Sequence, residues 1–201
     1  MNRRRVLQAA GGSLSTLFAG CTSRSEGGKP SLVVTSSALQ SGGSLPTRFT
    51  CDGAGDSPPF RIEQTPGPTA SLAIVSEYDR GPLNEPVFWS IWNVPPETTD
   101  IPSGIPRTPT VANLGGARQG RQRGGEVGYK PPCTPPGQSY EHRFQVYALG
   151  EMLDLEAGTK HDDSVEAIGS AALASRRFTV TLQRSATTAE RVTDQEDSRT
   201  G

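Results

Sequence analysis

Two short, uninterrupted apolar runs place the strongest limit on how this chain can fold. Residues 71–76 read Ser-Leu-Ala-Ile-Val-Ser, and residues 87–94 read Val-Phe-Trp-Ser-Ile-Trp-Asn-Val. Runs of this kind, rich in β-branched and aromatic residues, are expected of strands that are buried on both faces. Pro95 and Pro96 end the second run, because proline cannot donate a hydrogen bond to a strand ladder. The sequence therefore predicts a core built on β-structure.

Further segments extend the strand prediction. Residues 32–35, Leu-Val-Val-Thr, form a first candidate strand. Two later segments alternate apolar and polar side chains, which gives a strand a single core face. Their apolar positions are Phe144, Val146, Ala148 and Phe178, Val180, Leu182. The 23 glycines and 17 prolines suit short strands joined by many turns rather than a helical bundle.

One helix is predicted late in the chain. Asp163 is a candidate N-cap, and Glu166 three residues later completes a capping box. The apolar face of this helix would carry Val165, Ile168, Ala172 and Leu173. Residues 101–128 have no usable periodicity and are expected to form a long surface loop. Together these elements predict a mostly β protein, an antiparallel β-sandwich with one or two short helices near the C-terminus.

The first 21 residues have the pattern of an export signal. Arg3 and Arg4 precede a modestly apolar stretch that ends Leu-Phe-Ala-Gly before Cys21, as in a twin-arginine signal with a lipobox. We expect cleavage before Cys21, lipidation of its thiol and anchoring to the outer face of the cytoplasmic membrane; the alternative is an amphiphilic leader with a stray cysteine. Residues 22–30 would form a polar tether, residues 31–184 the folded domain and residues 185–201 a disordered tail.

Composition excludes several functions. A formal net charge of −1 gives no electrostatic support for binding nucleic acid. Three cysteines and two histidines are too few for a zinc site of the usual spacing, so we expect no metal and no cofactor. The chain also has no Gly-x-Ser-x-Gly elbow and no phosphate-binding loop motif. We therefore expect a non-catalytic binding protein, and a degenerate hydrolase is the least favoured alternative.

Several segments resemble motifs of one family. Residues 49–53 read Phe-Thr-Cys-Asp-Gly, and residues 77–79 read Glu-Tyr-Asp where that family has Asp-Pro-Asp. The run from residue 88 falls on its His-Trp strand, and residues 128–137, Gly-Tyr-Lys-Pro-Pro-Cys-Thr-Pro-Pro-Gly, match its proline-rich loop. His-Arg-Phe at residues 142–144 follows, where the family has His-Arg-Tyr. Over about residues 32–182 the chain resembles the phosphatidylethanolamine-binding protein family, in its bacterial and archaeal Raf kinase inhibitor-like branch.

The resemblance implies a small pocket for phosphate or a phospholipid head group. In that family, acidic residues, histidines, a tyrosine and the proline-rich loop form the pocket. The positions that correspond here are Glu77, Asp79, Phe88, Tyr129, Pro132, Pro136, Gly137 and His142. Phe88 stands where the family has a histidine, which removes one anion donor and favours a more apolar ligand. Alternatively, His142 satisfies backbone groups, Glu77 and Asp79 are solvated, and Tyr129 is only loop scaffold.

The resemblance also implies that Cys51 and Cys133 lie on the same side of the sandwich. In an exported protein we expect them to form a disulfide, and the alternative is two free thiols. Two function hypotheses follow. One is capture of a small anionic or amphiphilic ligand at the cell surface. The other is a protein-interaction or inhibitor module with an unknown partner, contacted through the basic loop at residues 107–123 with Arg118, Arg121 and Arg123; a merely solvated loop is its alternative.

Overall fold

The computed structural model describes residues 31–78, 87–122 and 124–184, without the Val87 side chain. The predicted export signal, tether and tail lie outside these residues. Two 3₁₀ turns span Thr47–Phe49 and Ala112–Leu114. The strands and the helix are β1 (Val33–Thr35), β2 (Phe60–Gln64), β3 (Ser71–Tyr78), β4 (Val87–Val94), β5 (Asp100–Ile101), β6 (Thr110–Val111), β7 (Ala117–Gln119), β8 (Ser139–Leu149), α1 (His161–Ala171) and β9 (Ala172–Gln183).

The strands form two antiparallel sheets. The smaller sheet has the order β1-β2-β5, and the larger has the order β6-β7-β4-β3-β8-β9. A large apolar cluster includes residues of both sheets, among them Val34, Phe60, Leu72, Ile74 and Phe144. A second cluster lies on the other face of the larger sheet and includes Ile168 of α1. The prediction of a mostly β, antiparallel sandwich with a late helix is confirmed.

The run at residues 87–94 is strand β4, and its side chains enter both clusters. Trp89 and Ile91 belong to the cluster shared by the two sheets, whereas Trp92 belongs to the cluster beneath α1. All three side chains are fully buried. A central strand that is covered on both faces needs apolar residues at successive positions, which explains the uninterrupted run.

Two local predictions were wrong. Helix α1 begins at His161, two residues before the predicted cap at Asp163, and its own N-cap, Lys160, makes no side-chain capping bond. The helix ends at Ala171, so Leu173 belongs to β9. Residues 101–128 are not an open loop throughout, because β6 and β7 pair within them. Long-range contacts decide both points, strand pairing within residues 101–128 and the contact of His161 with Ser90 at the start of α1, and such contacts leave little local sequence signal.

None of the helices in the described parts of the chain is long and apolar enough to cross a lipid bilayer.

Candidate functional site

His142 lies near the start of β8, on the face of the larger sheet that packs against the smaller one. It pairs with Tyr78 across the β3–β8 ladder, and the alternation along β3 brings Ser76 to the same face. The Ser76 Oγ atom is 2.7 Å from the His142 Nε2 atom. Within the described residues the Nδ1 atom has no hydrogen-bond partner, although it is buried. Among the described residues, one ring nitrogen of His142 therefore has a hydrogen-bond partner and the other has none.

Aromatic rings surround His142. Its ring centroid lies 5.0 Å from that of Tyr78 and 5.4 Å from that of Phe88. Tyr78 also contacts Phe88 at 4.4 Å and Tyr140 at 5.8 Å. We call these four residues, Tyr78, Phe88, Tyr140 and His142, the aromatic site. His142 and Tyr78 are buried, whereas Phe88 and Tyr140 are partly exposed and form the outer part of the site.

Burial keeps the His142 imidazole neutral. Loss of hydration, assisted by the positive charge of Arg143, lowers the pKa of His142 from 6.5 to about 3. At neutral pH the ring can donate or accept a hydrogen bond, but it carries no charge that would attract a phosphate. His142 therefore contributes a neutral hydrogen-bonding group to the aromatic site.

Glu77 points away from His142. Side chains alternate between the faces of a strand, so Glu77 lies on the opposite side of the sheet from Ser76 and Tyr78. There it faces Arg143 across the ladder, with a 3.1 Å distance between its Oε1 atom and the arginine Nη2 atom. The structure therefore separates Glu77 from the histidine with which the sequence grouped it. Asp79 lies outside the described residues.

Tyr129 also has a different position from the one expected. Its ring is fully buried between Trp89 and Phe144, with centroid distances of 5.7 and 6.3 Å. Its hydroxyl donates a 2.7 Å hydrogen bond to the carbonyl oxygen of Phe49, and burial raises the pKa of this phenol. Tyr129 therefore anchors the proline-rich loop to the core instead of lining the aromatic site.

Backbone hydrogen bonds hold the proline-rich loop in place. Pro132 is buried, and its carbonyl oxygen accepts a 3.1 Å hydrogen bond from the Cys51 amide. Pro136 and Gly137 are exposed, and the Gly137 amide donates a 2.9 Å bond to the Arg184 carbonyl. Gly137 has a φ of 78°, a conformation that other residues adopt at an energetic cost. The loop is thus held at both ends by backbone contacts.

The predicted disulfide between Cys51 and Cys133 is confirmed. Their Cα atoms are 5.3 Å apart, and the bond links positions separated by 82 residues. Both cysteines are exposed; Cys133 lies within the proline-rich loop and Cys51 lies in the turn at residues 51–54. The bond therefore fixes the proline-rich loop against the turn at residues 51–54.

The two cysteines of the disulfide help to line a cleft of about 340 Å³. Its charged side chains belong to Arg107, which begins the basic loop, and to Glu126 and Lys130, which the sequence did not single out. Val127, Gly128, Tyr129, Pro131 and both cysteines complete the lining. We call this the cationic cleft. It shares no lining residue with the aromatic site.

The fold forms two buried serine–histidine pairs. Besides Ser76 and His142, the Ser90 Oγ atom lies 2.6 Å from the His161 Nδ1 atom, and it also contacts Ser164. Burial lowers the pKa of His161 to about 4. Sequence reasoning missed both serines, because each reaches its histidine only through pairing of distant elements. Imidazoles with such low pKa values are weak general bases at neutral pH.

The basic loop is partly tied to the rest of the domain. A guanidinium nitrogen of Arg118 donates to the Leu155 carbonyl, and that of Arg121 donates to the Gly158 carbonyl at 2.8 Å. Arg123 lies outside the described residues. Within the described ranges, no three histidine, cysteine, aspartate or glutamate side chains cluster as they would around a metal ion.

The protein is a β-sandwich of two packed sheets. A disulfide fixes its proline-rich loop, and its aromatic site is that of a binding-type protein. Residues 35–183 match the family model described as phosphatidylethanolamine-binding protein. The chain belongs to this family.

Comparisons with individual proteins agree. A UPF0098 protein of Methanothermobacter thermautotrophicus is 35% identical over 131 residues, which cover 65% of this chain and 85% of that protein. A UPF0098 protein of Chlamydia muridarum is 30% identical over 156 residues, covering 75% and 98%. A solved phosphatidylethanolamine-binding protein homolog of Chlamydia trachomatis superposes with a TM-score of 0.65 at 26% identity, covering 77% and 98% of the two chains. Escherichia coli YbcL shares the fold, with a TM-score of 0.69 at 24% identity and coverage of 76% and 98%.

Proposed function

We propose that this protein is a non-catalytic receptor for a small amphiphilic ligand, and that a lipid on Cys21 anchors it to the outer face of the cytoplasmic membrane. The observation that carries the ligand proposal is the unsatisfied Nδ1 atom of His142 within the aromatic site. A buried polar atom without a partner costs free energy, and a ligand group that bonds to it recovers that cost.

The surroundings of this nitrogen define the ligand class. Phe88 and Tyr140 present partly exposed aromatic faces at the outer side of the site, and these faces favour an apolar ligand segment. A neutral imidazole at the inner side favours a polar group that donates or accepts one hydrogen bond. An amphiphile, with a polar head at His142 and an apolar body on Phe88, satisfies both requirements. A free phosphate ion satisfies only one.

Two observations favour binding over catalysis. Members of this family are generally non-catalytic binding proteins. In addition, a serine nucleophile needs a histidine that accepts its proton, and the ring is in turn oriented by a third group. Ser76 has the histidine, but His142 is a weak base and its second nitrogen has no partner in the described part of the chain.

Calorimetric titration of the protein carrying Cys21→Ser tests this proposal. We expect short-chain lysophosphatidylethanolamine to bind and phosphoethanolamine, which lacks the apolar body, to bind at least about tenfold more weakly. Phe88→Ala removes the aromatic face and should weaken binding of the lipid. Phe88→His restores the imidazole of the family and should improve binding of phosphoethanolamine.

The matched control is Phe49→Leu, which changes an aromatic core residue outside the aromatic site. It should leave the lipid affinity within about twofold of the parent protein. Equal affinities for lysophosphatidylethanolamine in the parent and Phe88→Ala proteins would reject the aromatic site. If the lipid does not bind at all, the ligand class is wrong.

A further inference from the structure

We infer that the cationic cleft is a second binding site, separate from the aromatic site, for a small organic anion whose carboxylate or phosphate group is attached to an apolar body. Its volume of about 340 Å³ falls at the lower end of the range found for ligand pockets in proteins. None of the residues that line the cleft belongs to the aromatic site, and this inference does not depend on the amphiphile proposed above.

The charge of the cleft selects an anion. Arg107 and Lys130 supply two positive charges, and Glu126 supplies one negative charge. Within the described residues neither cation forms a salt bridge, unlike Arg48, Arg61, Arg143 and Arg184. Arg107 donates one hydrogen bond, to a carbonyl oxygen, and therefore keeps its charge available. An anionic group between the two side chains would gain charge-assisted hydrogen bonds.

The walls of the cleft are fixed before any ligand arrives. An Arg107 guanidinium nitrogen lies 2.8 Å from the carbonyl oxygen of Gly55. Gly55 packs so closely that a Cβ atom there would lie 3.1 Å from both Arg107 and Pro131. The Lys130 amide donates a 2.8 Å bond to the Phe88 carbonyl, and the disulfide joins Cys51 and Cys133 of the lining. A preformed cleft binds with little loss of conformational entropy.

The remaining lining accounts for the apolar body. Val127 and Pro131 are partly exposed, and the sulfur atoms of Cys51 and Cys133 lie beside them. These groups offer no charge and only weak hydrogen-bonding capacity. A ligand with an anionic end at Arg107 and Lys130 can therefore place a short apolar segment against the disulfide.

The test is calorimetric titration of the Cys21→Ser protein with four probes that share one alkyl chain: hexanoate, hexyl phosphate, hexylammonium and hexanol. We expect at least one of the two anions to bind, with hexylammonium and hexanol at least about tenfold weaker. The comparison of hexanoate with hexyl phosphate identifies the anionic group. Arg107→Gln and Lys130→Gln should each weaken the bound anion about tenfold.

Arg61→Gln is the matched control, because Arg61 is an exposed arginine paired with Asp100 on the smaller sheet. It should leave the affinity unchanged. The Phe88→Ala protein should bind the anion as the parent does, which separates this site from the aromatic site. Absence of binding by both anions overturns the inference, and so does equal binding by the parent, Arg107→Gln and Lys130→Gln proteins. Loss of binding in Phe88→Ala alone assigns the anion to the aromatic site and likewise overturns the inference.

Discussion

Lowering the pH from 7 to 5 should destabilise the domain strongly through its two histidines. His142 has a pKa of about 3 in the folded protein and His161 a pKa of about 4, compared with 6.5 in an unfolded chain. The unfolded chain therefore takes up protons as the pH falls below 6.5, whereas the folded chain does not. Stability is fully present above pH 6.5 and is lost as the pH falls towards the folded-state pKa values. Proton linkage gives a loss of about 2 kcal/mol for each histidine between pH 7 and pH 5.

The assay is urea denaturation of the Cys21→Ser protein at several pH values, with the free energy of unfolding extrapolated to water. His142→Gln keeps a nitrogen or oxygen near Ser76, and His161→Asn keeps one near Ser90, so each variant removes titration with little change in shape. Each variant should remove about 2 kcal/mol of the loss between pH 7 and pH 5. The parent protein and both variants contain the same carboxyl groups, so the difference between their pH dependences reports the histidines alone. Equal pH dependence in the parent protein and both variants would refute the claim that these imidazoles are buried and neutral.

Three further predictions concern the Cys51–Cys133 disulfide, the packing around Gly120 and the proposed lipid anchor on Cys21. Cys51→Ser, which leaves Cys133 unpaired, should lower the free energy of unfolding by about 4.5 kcal/mol in the chain-entropy model for a separation of 82 residues, as measured by urea denaturation against the disulfide-bonded parent protein. Gly120→Ala should lower it by about 1–3 kcal/mol, because the added Cβ atom would overlap with the Ser90 Oγ atom; a melting temperature equal to that of the parent would contradict this packing. Cys21→Ser should move the protein from the membrane to the soluble fraction, and unchanged membrane fractionation would reject the lipid anchor.

The central strands were predictable because burial requires a simple pattern of apolar residues in the sequence. Strand β4 has the predicted limits at residues 87–94, since a strand covered on both faces is apolar throughout. Strands β8 and β9 contain the predicted alternating segments but extend several residues further. Their pairing with each other over a long register, which no local pattern encodes, sets those limits.

The short strands were not predictable on the same basis. Strand β2, with Phe60 and Ile62 buried, and the two-residue strands β5 and β6 owe their conformation to pairing with distant segments. Helix α1 begins at His161 because that side chain is held by Ser90 on the neighbouring sheet, a contact across 71 positions. Capping rules consider only neighbouring residues and therefore place the N-cap at Asp163, three residues after the observed N-cap Lys160.

The candidate site was predictable in its components but not in its geometry. Motif resemblance identified His142, Phe88 and both cysteines of the disulfide. It did not identify the face of the sheet to which each side chain points. Alternation along β3 places the Glu77 side chain on the face of the sheet that His142 does not occupy. The same alternation, applied backwards from Tyr78, reaches Ser76 and was the available signal for the serine–histidine contact. Arg107 and Lys130 belong to two segments that the sequence did identify, the basic loop and the proline-rich loop, but no local signal showed that they line one cleft.

The most direct test of the amphiphile proposal is the ¹⁵N chemical shift of the two His142 ring nitrogens, measured with and without short-chain lysophosphatidylethanolamine. The account predicts a neutral ring at pH 7, an Nε2 signal that changes little because Ser76 already bonds to it, and an Nδ1 signal that moves on saturation. The shift should be absent with phosphoethanolamine at the same concentration. A charged imidazole in the free protein, or an Nδ1 signal that the lipid leaves unchanged, would contradict the proposal.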